Sequence, residues 1–277
     1  MRAFITGGAG FIGHNVVRFL EQRGVECFGI DNRTNYGFIR PAELDYLIKE
    51  RTQRIQALPH VIDIRNTEKI NSFVGTFNIQ TIVHCASFPR QKVVNSNPTW
   101  GSRTMSEGLL SLLEASVKTN VRKFVYVSSS MVYGNFIDDV REDAACNPQG
   151  QYGIMKLAGE WLVKDYARRN DNLAYTILRP SAVYGPLDVE DRVVSKFLLG
   201  AMRGETIQVN GYDESLDFTF VSDVADGIAT AAISPDTDNQ TYNITRGHSR
   251  TLLEAAELAV KTVKRGNIQV NERDERF

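Results

Sequence analysis

Three glycines near the start of the chain, Gly7, Gly10 and Gly13, have the spacing to hold the phosphates of a dinucleotide. They lie between an apolar run, Ala3 to Ile5, and an amphipathic helical pattern. The first glycine allows a tight turn, the second lets the backbone approach a pyrophosphate, and the third lets the helix pack closely on the strand. The N–H groups of the first helical turn then face the phosphates. The pattern predicts a dinucleotide site, and the alternative is an ordinary turn between a strand and a helix.

Acidic residues at two later strand ends extend this prediction. Asp31 ends the second predicted strand, about 20 residues after the last glycine, where an acid binds the ribose hydroxyls. An acid there repels a 2′-phosphate, so NAD is favoured over NADP, although the basic Arg33 lies nearby. Asp63 and Ile64 follow the third strand and could reach the adenine. A helix N-cap near Asn66 explains that segment equally well.

Ala86 and Ser87 follow the fourth predicted strand. Their small side chains leave room for a cofactor, and simple packing explains them almost as well.

A second set of residues combines Tyr152, Lys156 and the serine run Ser128–Ser130. The tyrosine and the lysine are spaced i, i+4 on an amphipathic helix, so they share one face. The serines follow a central predicted strand, at the end where open parallel sheets bind ligands. A Tyr–Lys pair is common on solvated helices, and a serine run is usually a turn. Because both follow a nucleotide-binding half, chance is the lesser explanation.

An alternation of strands and helices from residue 2 to about 180 must position these groups. It predicts an α/β fold, a Rossmann-type doubly wound parallel sheet over residues 1–180 with helices on both faces. Residues 181–277 have shorter elements and are expected to form a smaller C-terminal α/β substrate lobe, with the substrate in the cleft between the two. Strands are expected at 2–6, 25–30, 59–62, 80–85, 122–128, 173–178, near 206–209 and near 217–221. Helices are expected at 101–119, near 193–202, at 223–233 and at 251–263, and the charged stretch 41–58 is expected to be a solvated helix.

Composition excludes several classes of protein. The chain has 277 residues, 42% of them hydrophobic and 23% charged, with a net charge of −1, so it has no basic field for nucleic acid or an anionic membrane. The sequence shows neither a signal-peptide pattern nor an apolar stretch of the ~20 residues that span a bilayer. Three cysteines, Cys27, Cys85 and Cys146, are odd in number and widely spaced, which predicts reduced thiols in the cytoplasm. The four histidines lack metal-ligand spacing, so no metal site is expected.

Several motifs occur together along essentially the whole chain. They are Thr6–Gly13, Asp31-Asn32, Ser128–Gly134, the Tyr152/Lys156 pair, Leu178–Pro180 with Val183–Pro186, and Asp217-Phe218 with Val221–Ala225. Their combination resembles the extended short-chain dehydrogenase/reductase family, in particular its NAD-dependent sugar-nucleotide epimerase/dehydratase branch.

The resemblance implies a catalytic set of Ser129, Tyr152 and Lys156. Tyr152, as a phenolate, would take the proton from a sugar hydroxyl while a hydride moves to NAD. The Lys156 ammonium and the positive nicotinamide would lower the phenol pKa from its ordinary value of about 10, and Lys156 would also hold the nicotinamide ribose. Ser129 would hydrogen-bond the reacting oxygen. In a 4-epimerase the 4-keto sugar turns over and the hydride returns to its other face, so NAD is regenerated and stays bound.

The predicted contacts fall into two groups. The residues expected to contact NAD are Gly7, Gly10, Phe11, Ile12, Gly13, Asp31, Asn32, Asp63, Ile64, Ala86, Ser87, Tyr152, Lys156 and Pro180. The residues expected to contact a nucleotide-diphosphate sugar are Ser130, Arg192 and Lys196.

One position separates the branches of the family. The 4,6-dehydratases have Asp-Glu directly after the catalytic residue, whereas this chain has Ser130 and Met131. A thioether does not transfer protons, so dehydration is disfavoured and an NAD-dependent 4-epimerase is the favoured function. The alternatives are a nucleotide-sugar dehydrogenase, reductase or dehydratase of the same fold, and a non-catalytic NAD-binding sensor.

The chain departs from the family pattern at several points. Met105–Gly108 stands where the family often has Asn-Val-x-Gly, Ala182 replaces an asparagine that contacts the substrate diphosphate, and Leu216 replaces a phosphate-binding arginine. Arg192, Lys196 or Arg246 are the candidates to replace that arginine. Family members usually continue for another ~30–60 residues, so the substrate lobe is expected to be incomplete or truncated. A homodimer is expected through helices 101–119 and 149–169.

Overall fold

Seven parallel strands form the central sheet of the computed structural model, which describes residues 1–37, 39–135, 139–211 and 213–272. The strand order is β11-β6-β5-β4-β1-β2-β3, with the first strand pair of the chain in parallel register from Arg2 opposite Glu26. The bounds are β1 Arg2–Thr6, β2 Glu26–Asp31, β3 His60–Val61, β4 Thr81–His84, β5 Lys123–Val127, β6 Ala174–Pro180 and β11 Gln240–Ile244. The predicted α/β fold class is confirmed.

Helices cover both faces of this sheet. On one face α1, Phe11–Gln22, packs against α8, Val221–Ile233. On the other face lie α3, Thr67–Thr76, α5, Pro98–Lys118, and α6, Gly150–Arg168. Both interfaces are apolar, and full burial of one leucine or phenylalanine side chain contributes about 1.5–3 kcal/mol. The carboxyl ends of the strands therefore meet at one rigid edge.

The smaller lobe has its own apolar core between two helices and a short sheet. Helices α7, Val193–Arg203, and α9, Leu252–Val263, pack on each other and on β8, Thr206–Asn210, and β13, Asn267–Asn271, which run parallel. Thr251 and Glu254 form a reciprocal capping box at the start of α9. Four two-residue strands form two further pairs near the cleft: β7 Val183–Tyr184 with β10 Thr219–Phe220, and β9 Ser215–Leu216 with β12 Arg250–Thr251.

Two elements beyond residue 180 belong to the larger layer. Helix α8 packs on α1, and β11 extends the main sheet beside β6. The chain thus leaves the sheet after β6, builds part of the smaller lobe, and returns before completing it. The expected division at residue 180 does not follow the packing, because the apolar face of α8 is buried against α1 and the sheet.

The charged stretch after β2 forms a shorter helix than expected. Helix α2 spans Pro41–Thr52, not residues 41–58. Ile55 packs into the core, and the Glu21 carboxylate accepts the backbone N–H groups of Gln56 and Ala57. These contacts compete with helical bonds and end the helix. A further short helix, α4 at Gln91–Ser96, was not predicted.

Among the described residues, no helix combines the length and the apolar character needed to cross a bilayer.

Candidate active site

A cleft of about 1100 Å³ lies at the carboxyl edge of the sheet. Its walls come from the turn after β1, the exits of β2, β4, β5 and β6, helix α6 and the smaller lobe. Open α/β sheets bind ligands at this edge, and the volume suits a ligand of nucleotide size. The strands thus bring together the two sets of residues that the sequence separates by more than a hundred positions.

The glycine turn has no space for side chains. Gly7 has a φ of +72°, and a Cβ there would lie 2.9 Å from the backbone nitrogen of Ala86. A Cβ at Gly13 would overlap the carbonyl oxygen of Gly7. No side chain caps the N-terminus of α1, which begins at Phe11 after Gly10. The glycine turn and the first turn of α1 therefore present backbone N–H groups that no side chain caps, as phosphate binding requires.

Asp31 lies at the end of β2 and faces the cleft. Its carboxylate accepts hydrogen bonds from the backbone N–H of Ala9 at 3.1 Å and of Arg33 at 2.7 Å. Burial raises the pKa of Asp31, and these two hydrogen bonds act in the opposite direction. The acid is thus fixed beside the glycine turn, where it can accept ribose hydroxyls.

The structure places Asp63 outside the lining of the cleft. Its carboxylate accepts hydrogen bonds from both Nε and Nη2 of Arg65 and from Asn32, and these bonds lower the pKa of Asp63 to about 2. This pairing occupies both carboxylate oxygens of Asp63 with groups of the protein itself. Ile64 does line the cleft. The N-cap expected near this segment is Asn66, whose side chain accepts the N–H of Lys69.

Ser87 supplies a buried hydroxyl without a hydrogen-bond partner among the described residues, and it lines the cleft. Thr104 on α5 does the same. Buried hydroxyls normally have a hydrogen-bond partner, so two buried hydroxyls without one in the same cleft indicate a ligand with polar groups. Together with the glycine turn and Asp31, they fit NAD. Of the residues predicted to contact NAD, all except Asp63 line the cleft.

Tyr152, Ser129 and Lys156 come together at the mouth of β5. The Ser129 hydroxyl accepts the backbone N–H of Met131 at 3.2 Å, and it lowers the pKa of the Tyr152 phenol. Lys156 Nζ donates to the carbonyl oxygen of Val127 at 2.8 Å. Nζ lies 5.8 Å from the centroid of the Tyr152 ring. The geometry brings a phenol, a hydroxyl and a buried ammonium to one wall of the cleft.

The pKa values differ from the sequence-based expectation. Burial raises the pKa of Tyr152, and the Ser129 hydrogen bond and the Arg192 charge pull it down only in part. Burial also lowers the pKa of Lys156 to about 8. The expected lowering of the Tyr152 pKa by Lys156 is therefore not found in the protein alone, because the ammonium is engaged by a backbone carbonyl and the phenol is desolvated.

The substrate side of the cleft contains Ser130, Met131 and Arg192. Lys196 and Arg246 do not line the cleft, and Lys196 is exposed on the next turn of α7 after Arg192, so its contact with a substrate stays a prediction. Leu216 lines the cleft where the family has an arginine.

Ala182 lines the same cleft with an unusual backbone. Its φ is +31°, a left-handed conformation that asparagine tolerates better than alanine.

Two groups of functional interest were missed from the sequence. Arg51 is buried in a helix that the sequence predicts to be solvated, and its guanidinium donates to the carbonyl oxygens of Ala9 and Leu187. Glu160 and Arg179 form a buried ion pair at 2.7 Å. Glu160 follows Lys156 at the same i, i+4 spacing that links Lys156 to Tyr152, and that signal could have identified it.

Comparison with known proteins agrees with this site. The model of the NAD-dependent epimerase/dehydratase family matches residues 3–245. The chain is 26% identical over 266 residues to an uncharacterized UDP-glucose epimerase of Bacillus subtilis, covering 93% of this chain and 81% of that protein. It is 28% identical over 238 residues to the UDP-glucuronate 4-epimerase of Thermodesulfobacterium geofontis, covering 83% of this chain and 71% of that protein.

Solved structures give the same picture. The UDP-glucose 4-epimerase of Thermotoga maritima, determined with UDP-glucose, superposes with a TM-score of 0.88 at 26% identity and covers 100% of this chain and 87% of its own. The enzyme of Thermus thermophilus, determined with NAD, gives 0.84 at 25% identity over 99% of this chain and 88% of its own. The matched segment contains both the glycine turn and the Tyr152/Lys156 pair. The chain belongs to the NAD-dependent epimerase/dehydratase family.

Proposed function

We propose that this protein is an NAD-dependent nucleotide-sugar epimerase that inverts C4 through a transient 4-keto sugar. The observation that carries the proposal is the placement of Tyr152, Ser129 and Lys156 in one cleft with the glycine turn and Asp31. Relatives named as UDP-glucose and UDP-glucuronate 4-epimerases support the substrate class.

The chain's own residues would act as follows. When bound, NAD supplies reversible hydride transfer at the sugar carbon. Tyr152 receives the proton of the sugar hydroxyl and later returns it, and Ser129 orients the reacting oxygen. Lys156, fixed on Val127, provides the positive charge and ribose contact behind the phenol. Gly7, Gly10 and Gly13 would hold the pyrophosphate, with Asp31 on the adenosine ribose.

Met131 favours epimerisation over dehydration. Its side chain lines the cleft directly after Ser130, where the family's dehydratases have an acid. A thioether has no proton to give or take at the neighbouring sugar carbons. A dehydratase would need another acid–base pair at this wall.

The test is an assay without added reductant. Purified protein is incubated with UDP-glucose, UDP-galactose and their N-acetyl and uronate analogues. We expect interconversion of a C4 epimer pair with no net change at 340 nm. Net NAD reduction would instead identify a dehydrogenase or reductase, and loss of water to a stable keto sugar would identify a dehydratase. Binding of NAD without turnover of any nucleotide sugar would favour a sensor.

We also infer a homodimer through α5 and α6. Leu110 and Val117 lie two turns apart on α5 and are 36% and 38% exposed, and Ile154 and Trp161 lie two turns apart on α6 and are 52% and 64% exposed. Such paired apolar stripes suit burial against a second copy. Sedimentation velocity should give a dimer for the native chain and a monomer for Trp161→Glu. A native monomer at micromolar concentration would remove the proposal.

A cytoplasmic location is proposed from the thiols. Cys27, Cys85 and Cys146 are all free in the structure. Three unpaired thiols suit a reducing compartment. Fluorescent tagging in the native host would test the location, and an extracytoplasmic signal would contradict it.

A further inference from the structure

Two consecutive residues at the end of β5, Val127 and Ser128, are hydrogen-bonded to α6. The carbonyl of Val127 accepts from Lys156 at 2.8 Å, and the hydroxyl of Ser128 donates to Glu160 at 2.5 Å. The next hydroxyl, that of Ser129, acts on Tyr152 and lowers its pKa. Tyr152, Lys156 and Glu160 are spaced i, i+4, i+8 and so share one face of α6. Glu160 thus lies on the same helix face as Tyr152 and Lys156, although it has no role in the proposed reaction.

Glu160 is held in place by Arg179 of β6. Nε and Nη2 of Arg179 donate to the two carboxylate oxygens at 2.9 and 2.7 Å, and the two side chains are 4% and 1% exposed. Nη1 of Arg179 donates to the hydroxyl of Tyr133 at 2.6 Å and to the carbonyl oxygen of Glu142 at 3.2 Å. A bidentate pair of this kind is directional as well as charged. The carboxylate is therefore fixed between β5, β6 and α6.

Two glycines let α6 approach β5 closely enough for these contacts. A Cβ at Gly159 would overlap the hydroxyl of Tyr126, and a Cβ at Gly153 would lie 2.6 Å from the carbonyl oxygen of Met131. Gly159, which precedes Glu160, thus has no room for a side chain, because Tyr126 of β5 occupies that space. The close approach of α6 to β5 therefore depends on this glycine.

The charge of Glu160 also reaches Lys156. The titratable groups that face the ammonium are Cys85 and His84 from β4 and its exit, Tyr126 from β5, and Tyr152 and Glu160 from α6. Burial raises the pKa of Cys85 to about 12, and it also raises the pKa of Tyr126. Glu160 is the one carboxyl residue among these described groups, and it is paired with Arg179. Burial lowers the pKa of Lys156 to about 8, and Glu160 opposes that effect.

We propose that the buried Glu160–Arg179 pair is a positioning device for the catalytic residues, fixing α6 against the end of β5 and supplying the negative charge that keeps Lys156 an ammonium. The inference rests on the proposed function, since it gives the pair a purpose in that reaction. Arg179 orients Glu160, and Glu160 acts on Tyr152 and Lys156 without touching substrate.

The direct test is the titration of Lys156 in the ligand-free protein. With ¹³C-labelled lysine, the side-chain resonance of Lys156 is assigned by its loss in Lys156→Met and followed by NMR from pH 6 to 11. The native midpoint should fall near 8. Glu160→Gln keeps an acceptor for Ser128 but removes the charge, so the midpoint should fall by about one pH unit. Glu160→Asp, which keeps the charge, should restore most of it.

Activity provides a second readout with a matched control. The alkaline limb of the kcat/KM profile for the epimerisable nucleotide sugar should move to lower pH in Glu160→Gln, because the ammonium is lost sooner. Glu114→Gln, an exposed site on α5, should leave the limb in place. Arg179→Lys keeps a cation beside Glu160 and should lower kcat through lost geometry while moving the limb much less.

The outcomes are distinguishable from failure of the proposed function. A Lys156 midpoint that is the same in the native chain and in Glu160→Gln overturns the positioning device, whatever the enzyme's substrate. If Glu160→Gln does not fold, Arg179→Lys provides the test. A Lys156 titration midpoint and a kcat that both equal the native values in this variant would overturn the positioning role as well. A shifted Lys156 midpoint in Glu160→Gln, in a protein that turns over no nucleotide sugar, would support the electrostatic effect of Glu160 on Lys156 and contradict the proposed epimerase function.

Discussion

Lys156 Nζ donates to the Val127 carbonyl oxygen at 2.8 Å and lies 5.8 Å from the centroid of the Tyr152 ring. The lysine is thereby tied to the end of β5 beside the tyrosine. In the protein alone burial keeps Tyr152 protonated. Proton uptake by the phenol in turnover therefore depends on charge added to the cleft as well as on Lys156.

Removing the Tyr152 hydroxyl should abolish chemistry and spare binding. Tyr152→Phe loses the group that accepts the substrate proton, so the rate of epimerisation should fall by about 10²–10⁴-fold. The glycine turn and Asp31 are untouched, so NAD binding, measured by fluorescence titration, should change little. Tyr166→Phe on the same helix, where the hydroxyl bonds the exposed Glu114, is the control. Equal activity in Tyr152→Phe and the native chain would favour the sensor.

Restoring a guanidinium at Leu216 should improve substrate binding. Leu216 is 38% exposed and lines the cleft, at the position where the family resemblance implies a phosphate-binding arginine. Leu216→Arg should lower KM for the nucleotide sugar by about tenfold, because a charge-assisted contact is worth about 1.5–3 kcal/mol. Leu198→Arg, at a 36% exposed position on α7, controls for added charge. An unchanged KM in Leu216→Arg would mean that this chain binds the diphosphate elsewhere.

Relieving the backbone at Ala182 should stabilise the fold. Its φ of +31° is unfavourable for a residue with a Cβ, so Ala182→Gly should raise the free energy of unfolding by about 1 kcal/mol. Ala255→Gly inside α9 should lower it by about the same amount. Urea unfolding measures both. A loss of stability in Ala182→Gly would show that the alanine methyl packs favourably enough to outweigh the strain.

The buried His84 should make the fold acid-sensitive. Burial lowers its pKa from 6.5 to about 3, so between those values the unfolded chain binds a proton that the native chain does not. Stability therefore falls as pH drops below 6.5, by up to about 1.4 kcal/mol per pH unit from this residue. In His84→Asn that part of the slope should disappear between pH 6 and 4, while the same change at exposed His60 serves as the control. Identical slopes would exclude His84 as the cause.

The parallel sheet and the location of the cleft could be predicted because the sequence patterns are local. Gly7 to Gly13 fix a turn, and Tyr152 and Lys156 fix a helix face, by rules that need no tertiary contact. The contacts of Asp63 could not be predicted in this way, because the Arg65 side chain donates to both of its carboxylate oxygens. The sequence likewise does not distinguish Arg192 from Lys196: one helical turn separates them, and only packing decides that Arg192 lines the cleft.

Buried charges were the least predictable part. Arg51 looks like a surface residue of a charged helix, yet it is 5% exposed because the Leu187 carbonyl, from a segment 136 positions away, covers it. Long-range partners of this kind leave no periodic signal. Glu160 did carry a periodic signal, but its meaning depended on Arg179 lying on the neighbouring strand.

The return of the chain to the main sheet limits how this protein can be cut. A fragment ending at residue 180 would lose both α8 and β11. The apolar side of α1 would then be exposed to solvent, and the edge of β6 could pair with strands of other chains. Such a fragment should be recovered from cells as insoluble material. Recombination with related enzymes should accordingly exchange residues 183–216 and 250–272 together, because α7, β8, α9 and β13 share one core, and should leave α8 and β11 with their native partners.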